Sequence, residues 1–289
     1  GLPFLASAQK TYPEKAIRMV VPYVAGGAAD ITARLIAQSF SESMGQSVVV
    51  ENKPGANGSI GTELVAKSAP DGYTLLLTAS GPLVVNPSMG KKLNYDPIKD
   101  FAPITNVAAT QSVFAVNPKI AANNMQQFIA LAQANPNKYS FATPGTGSLG
   151  HANMEYFAAL ANIRLLHVPY KGATAAIQDV QSGQVQVMFS ALSPILGAVR
   201  DNRVTVLGVA SLERSKILPN IPTLTEAGVP GFIFSTWGAI LVPKGTPKTI
   251  ADKLHAELGK ALADPAVVEK LNSTGGTPQF SSPEQLRDL

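Results

Sequence analysis

Short, almost uninterrupted apolar runs, each followed by a glycine-bearing turn and then an apolar repeat of helical period, constrain this chain more than any other feature. The first run is Ile17-Arg18-Met19-Val20-Val21-Pro22-Tyr23; the turn Ala25-Gly26-Gly27-Ala28-Ala29-Asp30 follows, and Ile31, Leu35 and Ile36 then recur at helical spacing. Val48-Val49-Val50 predicts a second strand, and Asn52 to Ser59, with Pro54, Gly55 and Gly58, supplies turn chemistry before a helix over Ile60 to Lys67. Asp71-Gly72 turns the chain into Tyr73-Thr74-Leu75-Leu76-Leu77, which is too apolar for a strand with one wet face. Strands buried on both faces and alternating with helices predict a parallel sheet, and hence an α/β protein.

The same grammar restarts after Pro97 and Pro103, with a strand at Ser112 to Val116 and a helix carrying Met125, Phe128, Ile129 and Ala132 on one face. A strand over Tyr139 to Thr143, a glycine loop, a helix to about Ala161, a strand over Leu165 to Tyr170, a helix from Ala173, and strands Val185 to Phe189 and Val204 to Ala210 follow. Ser211 to Gly231, with Pro219, Pro222 and Pro230, predicts a long ordered loop, and Phe232 to Val242 a further strand. Beyond Pro247 only helices are expected, the one over Ile250 to Ala263 placing Ile250, Leu254, Leu258 and Leu262 together. The 289 residues suffice for two domains. The order fits a first domain of residues 1–111 and 232–289 interrupted by a second of residues 112–231; a plain tandem of two α/β domains fits the periodicity as well. In the interrupted arrangement the chain crosses between lobes twice, which makes a hinge able to close on a ligand.

Composition removes several function classes. Hydrophobic residues are 45% of the chain and charged ones 15%, which argues for a buried core and against disorder. Without cysteine there are no disulfides, zinc-thiolate sites, iron-sulfur clusters or thiol nucleophiles. His151, His167 and His255 are far apart in sequence and form no HExxH-like spacing, so no metal is called for short of a cluster formed only in space, and no cofactor is expected outside a nucleotide reading of the Gly145-Gly147-Gly150 loop. The 23 basic and 19 acidic residues are scattered, so their +4 balance suits a small anionic ligand rather than nucleic acid. No window approaches 18 consecutive apolar residues, so no membrane-spanning helix is expected. Leu2-Pro3-Phe4-Leu5 followed by Ala6-Ser7-Ala8 fits the tail of a signal core with a cleavage box ending at Ala8, and equally a disordered arm.

Two loops are placed to do chemistry. Gly26-Gly27-Ala28-Ala29-Asp30 joins a strand end to a helix start, where unpaired amides and the helix dipole favour an anion; an ordinary turn with Asp30 as N-cap accounts for the same residues. Thr143-Pro144-Gly145-Thr146-Gly147-Ser148-Leu149-Gly150-His151 holds an equivalent place further on and contains GxGxxG through Gly145, Gly147 and Gly150. A dinucleotide site expects an acid after the next strand, but that strand ends Pro169-Tyr170-Lys171-Gly172. Lys171 would suit a ribose phosphate, whereas the hydroxyl-rich loop more simply offers donors to a carboxylate. An NAD(P)-dependent or other small-molecule enzyme using the Gly145-Gly147-Gly150 loop is therefore the alternative to a binding protein. Ser80 lines a cleft or caps the following turn, Asp179 has the simple reading of an exposed helix acid, His151 that of a helix-start residue, and Tyr170 that of a core aromatic. No GxSxG is present, and no nucleophile, base and orienter assemble.

Six ordered segments carry a resemblance to a known family: Pro22 to Asp30, Glu51 to Gly58, Ala69 to Leu76, His167 to Gly172, Leu218 to Gly228 and Pro243 to Pro247. They resemble the Bug periplasmic binding proteins, the TctC-like receptors of tripartite tricarboxylate transporters, over almost the whole chain. The resemblance implies a two-lobed, Venus-flytrap protein of the periplasm, a monomer and not an enzyme. Such a protein captures a small organic carboxylate for the membrane components of the transporter or for a sensor. It implies a carboxylate between the lobes, met by amides of Gly26 to Ala28 and by the loop Thr143 to Ser148, with Asp179 facing the ligand, often through water, and Tyr23 and Ser80 lining the cleft. The full candidate set is Tyr23, Gly26, Gly27, Ala28, Asp30, Ser80, Thr143, Gly145, Thr146, Gly147, Ser148, His151, Tyr170 and Asp179. The family pattern also leads us to expect roughly one more helix beyond Leu289, and no motif indicates which carboxylate is chosen.

Overall fold

The computed structural model describes residues 12–289, so the signal-segment reading of residues 1–8 lies outside the described residues. Strands β1 (Ile17–Val21), β2 (Val48–Asn52) and β3 (Thr74–Ala79) pair in parallel around β1. They are linked by helices α1 (Ala28–Met44) and α2 (Ser59–Ala66), and the short helix α3 (Asn86–Ser88) follows β3. The apolar runs are explained by burial on both faces. Ile17, Met19, Val21, Leu75 and Leu77 pack beneath α1 with Ile36 and Phe40, while the alternate residues Val20 and Leu76 pack on the other side with Val65 of α2.

The second half repeats this logic. Helix α4 (Met125–Ala134), β5 (Ser140–Thr143), α5 (Leu149–Leu160), β6 (Leu166–Pro169), α6 (Ala173–Ser182), β7 (Val187–Ala191), α7 (Leu192–Arg200) and β8 (Thr205–Val209) build a sheet in which β5 pairs in parallel with β6 and β7. One face carries Phe114, Phe128, Phe157 and Phe189, with the Phe114 ring centroid 4.7–5.1 Å from the other three. The other buries Val113, Met188, Ile177 and Ile195. The expectation of two successive strands over Val185 to Ala210 is corrected by helix α7 between them.

Strand β4 (Phe101–Val116) joins the two sheets and differs most from expectation. Pro103 predicts a break and a strand starting at Ser112, yet one 16-residue strand runs through it. The proline is tolerated because the Lys244 N–H donates to the Asp100 carbonyl and antiparallel ladder bonds recur at every second residue, which turns the residue-103 nitrogen away from β9; the register shifts only after it, between Pro103 and Thr105. Residues 101–111 pair antiparallel with β9 (Ser235–Pro243), which also borders β3, whereas 112–116 pair antiparallel with β7 and β8. The chain ends with α8 (Lys248–Ala263), α9 (Pro265–Ser273), β10 (Gly276–Pro278) and α10 (Pro283–Asp288). The expectation of helices alone beyond Pro247 is corrected by β10, which adds an antiparallel edge to β4 at Ala108 to Thr110. The architecture is thus mixed α/β in two lobes. Among the described residues no helix is long and apolar enough to cross a membrane.

Two glycines test this packing in opposite directions. A Cβ on Gly61, in α2, would lie 2.7 Å from the Lys53 carbonyl oxygen and 2.8–2.9 Å from Pro22, all rigidly held. Gly197, in α7, has open space there. Gly61→Ala is expected to destabilise by about 1–3 kcal/mol, and Gly197→Ala to stabilise by up to about 1 kcal/mol through helix propensity. Urea unfolding of both variants checks this, and equal effects would contradict the close approach of α2 to the sheet.

Candidate functional site

The first glycine loop is shaped by a buried latch. Gly26 adopts φ +79°, a region glycine occupies without strain, and its N–H donates to Asp30 Oδ2 at 2.9 Å. Asp30 also accepts from Asn52 Nδ2 at 2.9 Å and from Arg34 Nε at 3.0 Å, and Asn52 donates to the Tyr23 carbonyl at 3.0 Å. Burial alone would raise the Asp30 pKa. Hydrogen bonds from Arg34, the Gly26 amide and Asn52, together with the Arg34 charge, outweigh it and hold the carboxyl below the usual aspartate range. Asp30 is therefore not the N-cap. That place belongs to Gly27, whose extended backbone offers no capping side chain, so α1 begins with amides unpaired within the helix and directed outward.

The second loop is supported from behind by a stack of rings. His151 and His167 lie 4.0 Å apart between centroids, and Phe141 stacks on His167 at 4.8 Å. The Gly147 N–H donates to His151 Nδ1 at 3.1 Å, and Thr143 Oγ1 lies 2.7 Å from His167 Nε2. Burial, and then the neighbouring His151, lower the His167 pKa, favouring the neutral ring. Ser148 caps α5, its Oγ accepting from the His151 N–H at 3.3 Å and leaving its own O–H free to donate. The three histidines do not gather as a set: His255 lies on α8 with its Nε2 3.0 Å from the Ser281 carbonyl oxygen. Among the described residues, no group of three or more His, Cys, Asp or Glu is placed to hold a metal.

Both loops open onto one cavity of about 1080 Å³. Of the sequence-derived candidates, Tyr23, Gly27, Ala28, Ser80, Gly145, Thr146, Ser148 and Tyr170 line it. Gly26, Asp30, Thr143, Gly147, His151 and Asp179 stand outside the lining, and the first five hold the two loops in shape. Asp179 accepts from the Tyr170 hydroxyl at 2.6 Å, so its carboxylate fixes a lining ring. Burial first, then the hydrogen bond and charge of Asp179, push the Tyr170 phenol up to about 12. Burial also raises the Tyr23 phenol to about 12. Both stay protonated donors at neutral pH. Ser80 follows β3 without making a side-chain cap, which leaves its hydroxyl to the cavity.

Several contributors carry no local signal. Asn57 Nδ2 donates to the Gly147 carbonyl at 2.7 Å, Lys91 Nζ to the Thr146 carbonyl at 3.4 Å, and Thr174 Oγ1 to the Ala25 carbonyl at 3.1 Å, so the lobes touch on both sides of the cavity. Asn57 lies in a segment that reads as turn chemistry. Nothing local marks it as an interlobe donor, because its partner is 90 residues away. The charged residues bordering the cavity are Lys91, Lys92, Lys171 and Glu63, a positive balance; the remaining polar groups are amides and hydroxyls. The GxGxxG pattern does join a strand to a helix. Its third glycine, however, has a packing reason, since a Cβ on Gly150 would lie 3.1 Å from the Phe189 carbonyl oxygen. The arrangement can bind and orient an anion through backbone and hydroxyl donors.

A family described as the tripartite tricarboxylate transporter family receptor matches residues 32–289. Protein BugT of Bordetella pertussis is 37% identical over 278 residues, covering 96% of this chain and 85% of that protein. Among solved structures, periplasmic binding protein BugD is 34% identical with a TM-score of 0.89, covering 96% of this chain and 93% of that one. MatC from Rhodopseudomonas palustris, with bound malate, is 29% identical with a TM-score of 0.90, covering 96% and 95%. Rpa4515 of R. palustris, with adipate, is 30% identical with a TM-score of 0.91, covering 96% and 93%.

The latch predicts a pH signature. Asp30→Asn is expected to cost about 1–2 kcal/mol of stability at neutral pH, the lower part of the range for a charged hydrogen-bond network because Arg34 is half exposed. Since the folded-state pKa is depressed, this stabilisation is complete above the ordinary aspartate value of about 3.9 and disappears as pH falls through the lower folded value. Urea titrations of wild type and variant at neutral and acid pH should show the gap closing on acidification. A gap independent of pH would mean that the charge of Asp30 contributes nothing.

Proposed function

Because the chain belongs to the tripartite tricarboxylate transporter receptor family, we propose that it is a periplasmic, monomeric receptor that captures a small organic carboxylate between its lobes. It then hands the ligand to the transporter's membrane components or to a sensor, and leaves it chemically unchanged. The observation that carries this reading is the convergence of two helix starts, α1 and α5, on one cavity. Unpaired amides there present partial positive charge to an anion without burying a formal charge. The malate and adipate held by the two R. palustris proteins support a carboxylate as the anion.

In this reading one lobe comprises residues 12–111 and 232–289 and the other residues 112–231, with β4 and the segment leading into β9 as hinge strands. Tyr23, Gly27, Ala28, Ser80, Gly145, Thr146, Ser148 and Tyr170 touch the ligand. Gly26, Asp30, Thr143, Gly147, His151 and Asp179 support them. A thermal-shift screen against a panel of carboxylic acids identifies the ligand, since saturation at 100 times Kd adds about 2.7 kcal/mol of stability. Product accumulating in proportion to protein concentration would overturn the receptor reading.

The division of labour at the site gives a sharper test. A Cβ on Gly27 would meet only the Val24 carbonyl oxygen, at an ordinary 3.5 Å, and its φ of −77° suits any residue, so Gly27→Val folds while its branch covers the α1 amides. Ser148→Ala should weaken binding by roughly 0.5–1.5 kcal/mol, the net value of one hydrogen bond. Gly27→Val should cost several times more although it removes no polar group. Calorimetry on both variants decides this, and near-wild-type binding by Gly27→Val would remove the first loop from the site.

A further inference from the structure

Four buried side-chain atoms among the described residues lack a hydrogen-bond partner: Thr62 Oγ1, Asn106 Oδ1, Asn153 Oδ1 and Ser193 Oγ. Of these residues only Asn153 borders the cavity. It is 2% exposed and lies four residues beyond Leu149 on α5, so the two share a helix face. The Ser190 hydroxyl, on the same cavity lining, is already engaged, donating to the Ala191 carbonyl at 2.9 Å. A buried amide left incomplete beside a binding cavity is a costly arrangement unless a bound molecule completes it.

We propose that Asn153 is a specificity-determining residue that hydrogen-bonds an uncharged polar group, a hydroxyl or an amide, at the far end of the ligand. This rests on the ligand's carboxylate being held at the starts of α1 and α5. Asn153 lies on α5, which packs against β7, and the cavity-lining residues of these two elements, Leu149, Gly150, Asn153, Phe189, Ser190 and Ala191, carry no charge, so a second carboxylate against them would be desolvated without a counter-charge. Asn153 lies five residues past the capping Ser148, and helical side chains lean toward the N-terminus, so the second polar group sits roughly 6–7 Å from the carboxylate. The amide supplies both a donor and an acceptor, which matches a hydroxyl in either orientation.

Hexanoate and ω-hydroxyhexanoate differ by the one group in question. Calorimetry on the wild type should show the hydroxy acid binding roughly five- to tenfold more tightly, the value of one buried hydrogen bond. In Asn153→Leu, of similar volume, the two acids should bind equally, with hexanoate unchanged within about twofold. The Tm of the ligand-free variant should rise by a few degrees because an incomplete buried amide is gone. Asn153→Ala gives the same loss of preference should leucine fit poorly. A preference that survives both substitutions overturns the proposal, as does an equal loss of both acids or tighter binding of adipate than of the hydroxy acid. If the wild type binds neither acid while another carboxylate on the screening panel binds, the spacing and partner assigned to Asn153 fall and the receptor reading stands. If no carboxylate on the panel binds, the receptor reading falls and this assignment with it.

Discussion

The structure depends on the continuity of β4. A single strand that pairs with β9 and β10 over its first part and with β7 and β8 over its last five residues places two sheets end to end. Each sheet's parallel strands run into glycine loops, and because both sheets share one backbone, those loops face each other across a single cavity. Pro103 leaves the strand intact because it falls at a ladder position whose nitrogen points away from β9. The shape of the site thus follows from main-chain pairing far from it.

Within that frame, donors and supports are held by different kinds of interaction. The donors that the two glycine loops bring to the cavity are backbone amides and hydroxyls, which can change partners at little cost. The groups behind them form tighter networks: Asp30 with Arg34, Asn52 and the Gly26 amide, and the ring stack of Phe141, His167 and His151 beneath Thr143 and Gly147. Asp30 spends its acceptor capacity on its own loop, which leaves the α1 amides to an incoming anion. A carboxylate aimed at those amides would repel such a ligand, whereas one folded back behind them orients the donors.

Much of the fold was legible because its signals are local. Alternation with both faces apolar predicts β1 and β3, the helical repeats of α1, α4 and α8 appear at their observed places, and the long ordered loop after β8 follows from its prolines. Helix α7 does display a period, Leu192, Ile195, Leu196 and Val199 recurring at i, i+3, i+4 and i+7, but Pro194 and Gly197 within its nine residues weaken the helical signal. Strand β10 escaped because three residues carry no pattern at all. At the site, eight candidates lie on the cavity, since a strand-to-helix turn rich in glycine is recognisable wherever it occurs.

By itself the sequence determined the alternation of strands and helices outside α7, β10 and the first part of β4, the positions of both glycine loops and the exclusion of cysteine chemistry, because periodicity, backbone freedom and composition are properties of neighbouring residues. Only the tertiary structure decided that Asp30 accepts from the Gly26 amide and Asp179 from the Tyr170 hydroxyl, that His151 and His167 stack, that Asn57 reaches Gly147, and that Asn153 borders the cavity with its amide incomplete. Each of these depends on the register of strands and the tilt of helices across separate elements. A side chain's direction and its partners are fixed there by packing, not by the residues beside it in the chain.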